Sequence, residues 1–252
     1  MGQVKKIITI ANQKGGSGKT TTALALAQAA AASGLKVLCI DLDSQANLTA
    51  ALDGSTDAMT AIDFLNDPAA ALECIQATHQ GIDLVAASYD LATLRTETGS
   101  ARRLQRAIET VSTQVQYDLV IIDTPNNGEA QYNALQASSD LIVPLGPSLF
   151  DRQGLYTMAA TAAAIKNTNP NLKLTGYLVT NYNGRSNIAK TIEEAIEADA
   201  LAHNIAKLGV IRQGVAIREA QALRVSLFEY APKSKPAQDY MNILKKLALT
   251  AN

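Results

Sequence analysis

Tryptophan is absent from this 252-residue chain, and phenylalanine (three), cysteine (two) and histidine (two) are scarce. Cys39 and Cys74 lie far apart with no CxxC spacing, so they read as reduced buried thiols and not as a disulfide or metal framework. His79 and His203 are solitary, with no acidic or cysteine ligand at metal spacing, and read as surface or core histidines. No apolar run approaches the roughly 20 residues that span a bilayer. The start, Met1-Gly-Gln-Val-Lys-Lys6, passes straight into a strand-like segment where a signal peptide would carry its apolar stretch, so a cytosolic protein is expected. Net charge of one sign is missing too: a formal −1 gives no global attraction to nucleic acid. There is no low-complexity tract, internal repeat or linker rich in Pro, Gly or Ser, so one domain is expected over 1–252.

Apolar residues make up 47% of the chain against 18% charged, enough for a sizeable core. Short, β-branched apolar runs at 6–11, 37–40, 82–86, 119–122, 141–143 and 174–179 read as buried strands. Between them, Ala/Leu-rich stretches at 21–32, 101–115, 128–138, 153–166 and 188–202 read as helices, the first closed by Ser33-Gly34. Segments 53–60 and 181–187 read as surface loops. Continuously apolar strands alternating with helices predict an α/β fold: a doubly wound, mostly parallel sheet with helices on both faces and ligand sites at the carboxyl ends of its strands.

The polar motifs fall at those ends. Ile7-Ile-Thr-Ile-Ala-Asn-Gln-Lys14-Gly-Gly-Ser-Gly-Lys19-Thr-Thr-Thr22 runs from a strand through a glycine-rich turn into a helix. Gly15, Gly16 and Gly18 permit positive φ and close approach of backbone N–H groups around Ser17 to phosphates, and the helix N-terminus adds partial positive charge. Lys19 is placed to neutralise β- and γ-phosphates and Thr20 to set its hydroxyl on Mg²⁺, with Thr21 completing the cradle. Asp41 and Asp123 each end an apolar strand, where an unpaired charge is costly to bury and a bound cation relieves that cost.

Gln13 stands where the strict phosphate-loop pattern has its first glycine, and Lys14-Gly-Gly-Ser-Gly-Lys-Thr-Thr21 resembles the deviant Walker A signature of the ParA/MinD family. Asp41-Leu-Asp43-Ser-Gln-Ala-Asn-Leu-Thr49 is similar to that family's second switch motif, and Leu119-Val-Ile-Ile-Asp123-Thr-Pro125 to its Walker B. Ile211–Ala220 and Glu229–Tyr240 are similar to its C-terminal pattern. Ser44, Asn126 and Arg212-Gln213 depart from it, standing where the family has proline, proline and Pro-Arg. The resemblance implies an ATPase that binds ATP and Mg²⁺ and pairs with a second copy. By position in the motifs, Lys14 reaches the partner's nucleotide, Asp123 holds Mg²⁺ through a water, Asp41 supports the magnesium shell and Asp43 orients the attacking water.

The tail bears on which member of the family this is. From Ile205 onward stand eight basic residues (Lys207, Arg212, Arg218, Arg224, Lys233, Lys235, Lys245, Lys246) against three acidic ones (Glu219, Glu229, Asp239). A basic surface suits sequence-independent DNA binding by phosphate neutralisation. Arg185, Arg218, Arg224, Lys233 and Lys235 are its candidate contacts, Arg185 beside a helix N-terminus. No segment before Val4 could hold a helix-turn-helix, so operator-specific repression is not expected. In 239–252, Tyr240, Ile243, Leu244 and Leu247 form an i, i+3, i+4, i+7 stripe; without Phe or Trp it suits docking on its own domain better than the lipid contact of a MinD-like oscillator. Two unpaired cysteines do not suit a shared iron–sulfur cluster, and retention of Lys14, Lys19, Asp43 and Asp123 together argues against a module that binds nucleotide without turnover. The expectation is a nucleoid-associated ATPase for plasmid or chromosome partition, released from non-specific DNA when a ParB-like or other adaptor stimulates slow hydrolysis; the alternative is a MinD-like membrane-associated positioning ATPase or a positioner of a protein cargo.

Overall fold

The computed structural model describes residues 4–94 and 100–249, with Leu149 and Phe150 as backbone only. The first three residues and the last three of the amphipathic stretch 239–252 lie outside the described residues.

Eight strands form one sheet in the order β3-β4-β2-β5-β1-β6-β7-β8. They are β1 (Ile7–Ile10), β2 (Val37–Asp41), β3 (Ile75–Ala77), β4 (Asp83–Val85), β5 (Leu119–Asp123), β6 (Asp140–Leu145), β7 (Lys173–Tyr182) and β8 (Lys207–Arg212). All neighbouring pairs are parallel except the β3–β4 edge pair. The helices are α1 (Lys19–Ala32), α2 (Asn47–Ala51), α3 (Ala61–Asn66), α4 (Arg103–Ser112), α5 (Glu129–Ala137), α6 (Leu149–Ile165), α7 (Asn187–Ala202), α8 (Val215–Ala222), α9 (Leu227–Tyr230) and α10 (Lys235–Lys246).

Alternation along each strand builds the two faces. Val37 and Cys39 of β2 join α1 and the C-terminal helices in one apolar layer, while Leu38 and Ile40 face the layer containing α3 and α4. Helix α1 is apolar nearly all round because it lies buried against the sheet. It ends as Ser33-Gly34 predicts: Gly34 is left-handed (φ 82°), and its N–H and that of Leu35 close back on the carbonyls of Ala31 and Ala30.

Two local expectations are corrected. Helix α1 begins at Lys19 and not Thr21, directly after left-handed Gly18. Strand β7 continues to Tyr182, beyond the boundary of a loop expected at 181–187, because Tyr182 pairs with Arg212 of β8 and its carbonyl accepts from the Gln213 N–H. Edge strands β3 and β8 were not visible in the sequence: β3 is only three residues long, and β8 is a partly buried strand with Gly209 inside it and Lys207 and Arg212 at its ends. The tail stripe is docked internally. Tyr240, Ile243, Leu244 and Leu247 are buried in the same layer as α1, and the Tyr240 hydroxyl lies 3.3 Å from that of Thr22.

Candidate functional site

Strands β1, β2 and β5 end together. Asp41 is the register partner of Asp123, and Asp123 of Ile10, so both carboxylates emerge beside the loop that follows β1. The chain passes from β1 to β2 on one side while β6 flanks β1 on the other, so this is the switch point of the doubly wound sheet.

The loop is held open by backbone conformations that a side chain would strain. Gly16 and Gly18 have φ of 72° and 90°, and a Cβ on Gly18 would lie 3.0 Å from Thr180. The Thr180 hydroxyl donates to the Ser17 carbonyl at 2.9 Å, pinning the loop to β7. Lys19 is nearly buried; its ammonium donates to Asn126 Oδ1 at 2.6 Å and to the Lys14 carbonyl at 3.4 Å. Burial lowers its pKa, opposed by Asp123 and then Asp43, so the ammonium sits among carboxylates.

Asp41 is fully buried. Its Oδ2 accepts from the Thr49 backbone and hydroxyl, both at 2.8 Å, and its Oδ1 from the Asp43 N–H at 3.1 Å. Burial still pushes its pKa up to about 6. Burial, then the Asp41 charge, drive Asp123 well above the usual carboxylate range, while the Thr20 hydroxyl and Lys19 pull it back. No hydrogen bond within 3.5 Å reaches the buried Asp123 Oδ2 from the described residues. A buried oxygen without a donor, a second carboxylate beside it and a nearby threonine hydroxyl fit a hard cation. Among the described residues no cluster of three or more His, Cys, Asp or Glu could cage a metal alone; Mg²⁺ commonly needs only one or two carboxylates plus substrate phosphates. Asp43 is half-buried, and its Oδ1 accepts from the Gln45 N–H.

Lys14, 37% exposed, is engaged by residues outside the loop. It donates to Asp151 Oδ2 at 2.6 Å and Ser148 Oγ at 2.9 Å, and the Asp151 side chain has no exposed surface. Sequence gave no sign of this pair, nor of Thr180; Thr49 stood within the switch motif without an assigned role.

Beside the loop a cleft of ≈ 320 Å³, lined by Gly16, Gly18, Thr21, Gln213, Arg218 and Tyr240 among others, has the size of a small-ligand site. Arg212 is paired through its guanidinium with Asp239, which fixes it between β8 and α10.

The candidate DNA residues do not form one free basic surface. Arg224 is ion-paired with Asp53, and its carbonyl accepts from Gln80 and lies 2.7 Å from His79 Nε2. Lys207 is held by Glu193 and Glu197. With Arg212 also paired, much of the apparent tail surplus is neutralised locally. Arg185, Arg218, Lys233 and Lys235 are exposed, and among the described residues no ion pair engages them. Glu219 meets the Tyr230 hydroxyl and not Arg218. His79 and His203 are exposed, and Cys39 and Cys74 are buried and free. No helix among the described residues is long and apolar enough to cross a membrane.

A mostly parallel sheet whose first strand enters a helix through this glycine loop, with a lysine at the loop's end and two carboxylates at the ends of neighbouring strands, defines a phosphate-loop nucleotide-binding protein. Residues 5–174 match the family model described as an AAA domain. The chain is 32% identical over 252 residues to the sporulation initiation inhibitor protein Soj of Bacillus subtilis, covering 96% of this chain and 98% of Soj. It is also 32% identical over 253 residues to the chromosome partitioning protein ParA of Caulobacter vibrioides, covering 96% and 93%. Among solved structures, a Mycobacterium smegmatis cobyrinic acid a,c-diamide synthase with bound ATP analog and magnesium is 30% identical with a TM-score of 0.81, covering 97% of this chain and 94% of that one. The Pyrococcus horikoshii septum site-determining protein MinD with Mg-ADP, at 24% identity, TM-score 0.76 and coverage of 96% and 95%, shares the fold. The chain belongs to the ParA/MinD family of phosphate-loop ATPases.

Proposed function

We propose that this chain is a partition ATPase that uses ATP and Mg²⁺. ATP closes two copies into a dimer, the dimer holds DNA through backbone phosphates, and an adaptor on the cargo stimulates hydrolysis and release. The observation that carries the reading is the convergence of the phosphate loop, Lys19, Thr20, Asp41 and Asp123 at the ends of β1, β2 and β5.

Within it, the backbone N–H groups around Gly16 and Gly18 approach the phosphates and Lys19 neutralises the β/γ end. Thr20 and Asp123 hold the cation; Asp41, fixed by Thr49, supports its shell. Mg²⁺ bound there supplies charge compensation for the developing phosphate charge. Asp43 aligns water with the terminal phosphate. Lys14 exchanges Asp151 for the nucleotide of the partner subunit, supplying a charge where negative charge develops. The cleft beside Thr21 and Tyr240 takes the nucleoside. Arg185, Arg218, Lys233 and Lys235 supply phosphate contacts to DNA; the burial of the tail stripe against α1 supports this reading over a lipid-facing tail.

ATP turnover measured alone, with DNA, and with DNA plus candidate adaptors tests the cycle. Lys19→Ala is expected to abolish ATP binding, and unchanged nucleotide affinity refutes the phosphate-loop assignment.

A further inference from the structure

Asn126 is one of the three departures from the family pattern, and the structure puts its side chain inside the phosphate site. Its Oδ1 accepts from Lys19 Nζ at 2.6 Å, while its Nδ2 points to Gly15, 3.6 Å from where a Cβ on that glycine would stand. The segment is anchored from behind: Gln131 Nε2 donates to the carbonyls of Pro125 and Asn126 at 3.1 and 3.2 Å. A proline at this position would offer Lys19 no side-chain oxygen and the site no N–H donor.

Position along the loop tells which phosphate Asn126 faces. The candidate nucleoside cleft is bordered by Gly16, Gly18 and Thr21, at the α1 end of the loop, and does not include Gly15. Asn126 meets the loop at its other end, at Gly15 and at the tip of Lys19, the group expected to reach the β/γ-phosphates. The charge of Asp43, assigned to the attacking water, helps to hold up the Lys19 pKa against burial. The amide thus lies toward the terminal phosphate. With Oδ1 occupied by Lys19, Nδ2 keeps two N–H groups to give, and a phosphate oxygen is an acceptor that carries charge.

We propose that Asn126 is a specificity-determining residue for the terminal phosphate: its Oδ1 holds Lys19 while its Nδ2 donates to the γ-phosphate, so that the side chain distinguishes nucleoside triphosphate from diphosphate. This rests on the nucleotide reading above. The side chain is exposed, it accepts its hydrogen bond from Lys19, and the segment is held through the carbonyls of Pro125 and Asn126, so truncation is expected to leave the fold intact.

The test is titration of the full chain with Mg-ADP and with a slowly hydrolysed Mg-ATP analogue, for wild type, Asn126→Ala and Asn126→Asp, with melting temperatures without nucleotide as the control for folding. A hydrogen bond to a charged group corresponds to roughly a tenfold change or more in affinity. Asn126→Ala is therefore expected to weaken the triphosphate analogue by about tenfold while leaving ADP within about twofold. Asn126→Asp keeps the acceptor for Lys19 but removes the donor and sets a carboxylate against phosphate, so it is expected to lose the triphosphate at least as strongly. Equal loss of both nucleotides, no loss of either, or triphosphate affinity retained by Asn126→Asp overturns the proposal. Wild-type protein that binds neither nucleotide refutes the nucleotide reading itself, which separates the two failures.

Discussion

Replacing Asp151 with asparagine is expected to tighten the ATP-dependent dimer. Lys14 is proposed to act on the partner subunit's nucleotide, yet here it donates to Asp151 Oδ2 at 2.6 Å and to Ser148. Its departure strands a carboxylate with no exposed surface. A hydrogen bond to a charged group contributes about 1.5–3 kcal/mol and a neutral one about 0.5–1.5 kcal/mol. Asparagine keeps an acceptor but not the charge, so Asp151→Asn lowers the cost of release by about 1 kcal/mol per subunit, or about 2 kcal/mol per dimer, within those ranges. At about 1.4 kcal/mol per factor of ten, that is about thirtyfold in dimer dissociation constant. Lys14 is 37% exposed, and solvent screening draws the expectation down toward tenfold. Sedimentation of wild type and variant with a slowly hydrolysed ATP analogue measures it, with melting curves to show that the fold is kept. A dimer equal to or weaker than wild type in a folded variant refutes the idea that Asp151 restrains Lys14.

Asp43→Ala should separate binding from hydrolysis, accumulating an ATP-bound dimer detectable by sizing and by retained nucleotide; loss of ATP binding instead would put Asp43 in the magnesium site and reverse its role with Asp41. Arg218→Ala should weaken binding to any DNA sequence about equally and reduce the log–log salt dependence by roughly one unit per lost phosphate contact. Arg218 also borders the nucleoside cleft, so nucleotide affinity is measured alongside; unaltered DNA binding with weakened ATP affinity reassigns it to the nucleotide.

The chemistry nearest the phosphates was legible because its parts are local. A strand, a glycine turn and a helix follow one another around Lys19, and Asp41 and Asp123 each announce themselves as a charge ending an apolar run. What pairs with what was not legible. Asp151 comes from the start of α6, far along the chain from Lys14, and only the sheet order brings them together. Asn126 showed in sequence merely as a missing proline, with nothing to indicate that its amide would meet Lys19. Counting charges along the tail misled for the same reason: Arg224 and Lys207 find acids at Asp53, Glu193 and Glu197, outside the segment counted. Edge strand β8 escaped because a half-covered strand broken by glycine lacks the continuous apolar run that marked the central ones.

On the proposed reading, the shared register of Asp41 and Asp123 would make the site a coincidence detector. Burial and a neighbouring carboxylate's charge raise the pKa of both, so without a cation their charge is disfavoured, and the one or two carboxylates that Mg²⁺ commonly takes would leave the rest of its shell to phosphate oxygens and water. Each ligand therefore repairs the defect that disfavours the other. Linkage makes the benefit reciprocal: whatever factor the cation adds to nucleotide affinity, the nucleotide adds to cation affinity. A switch built on that pair would respond to the metal–nucleotide complex more strongly than to either ingredient supplied by itself.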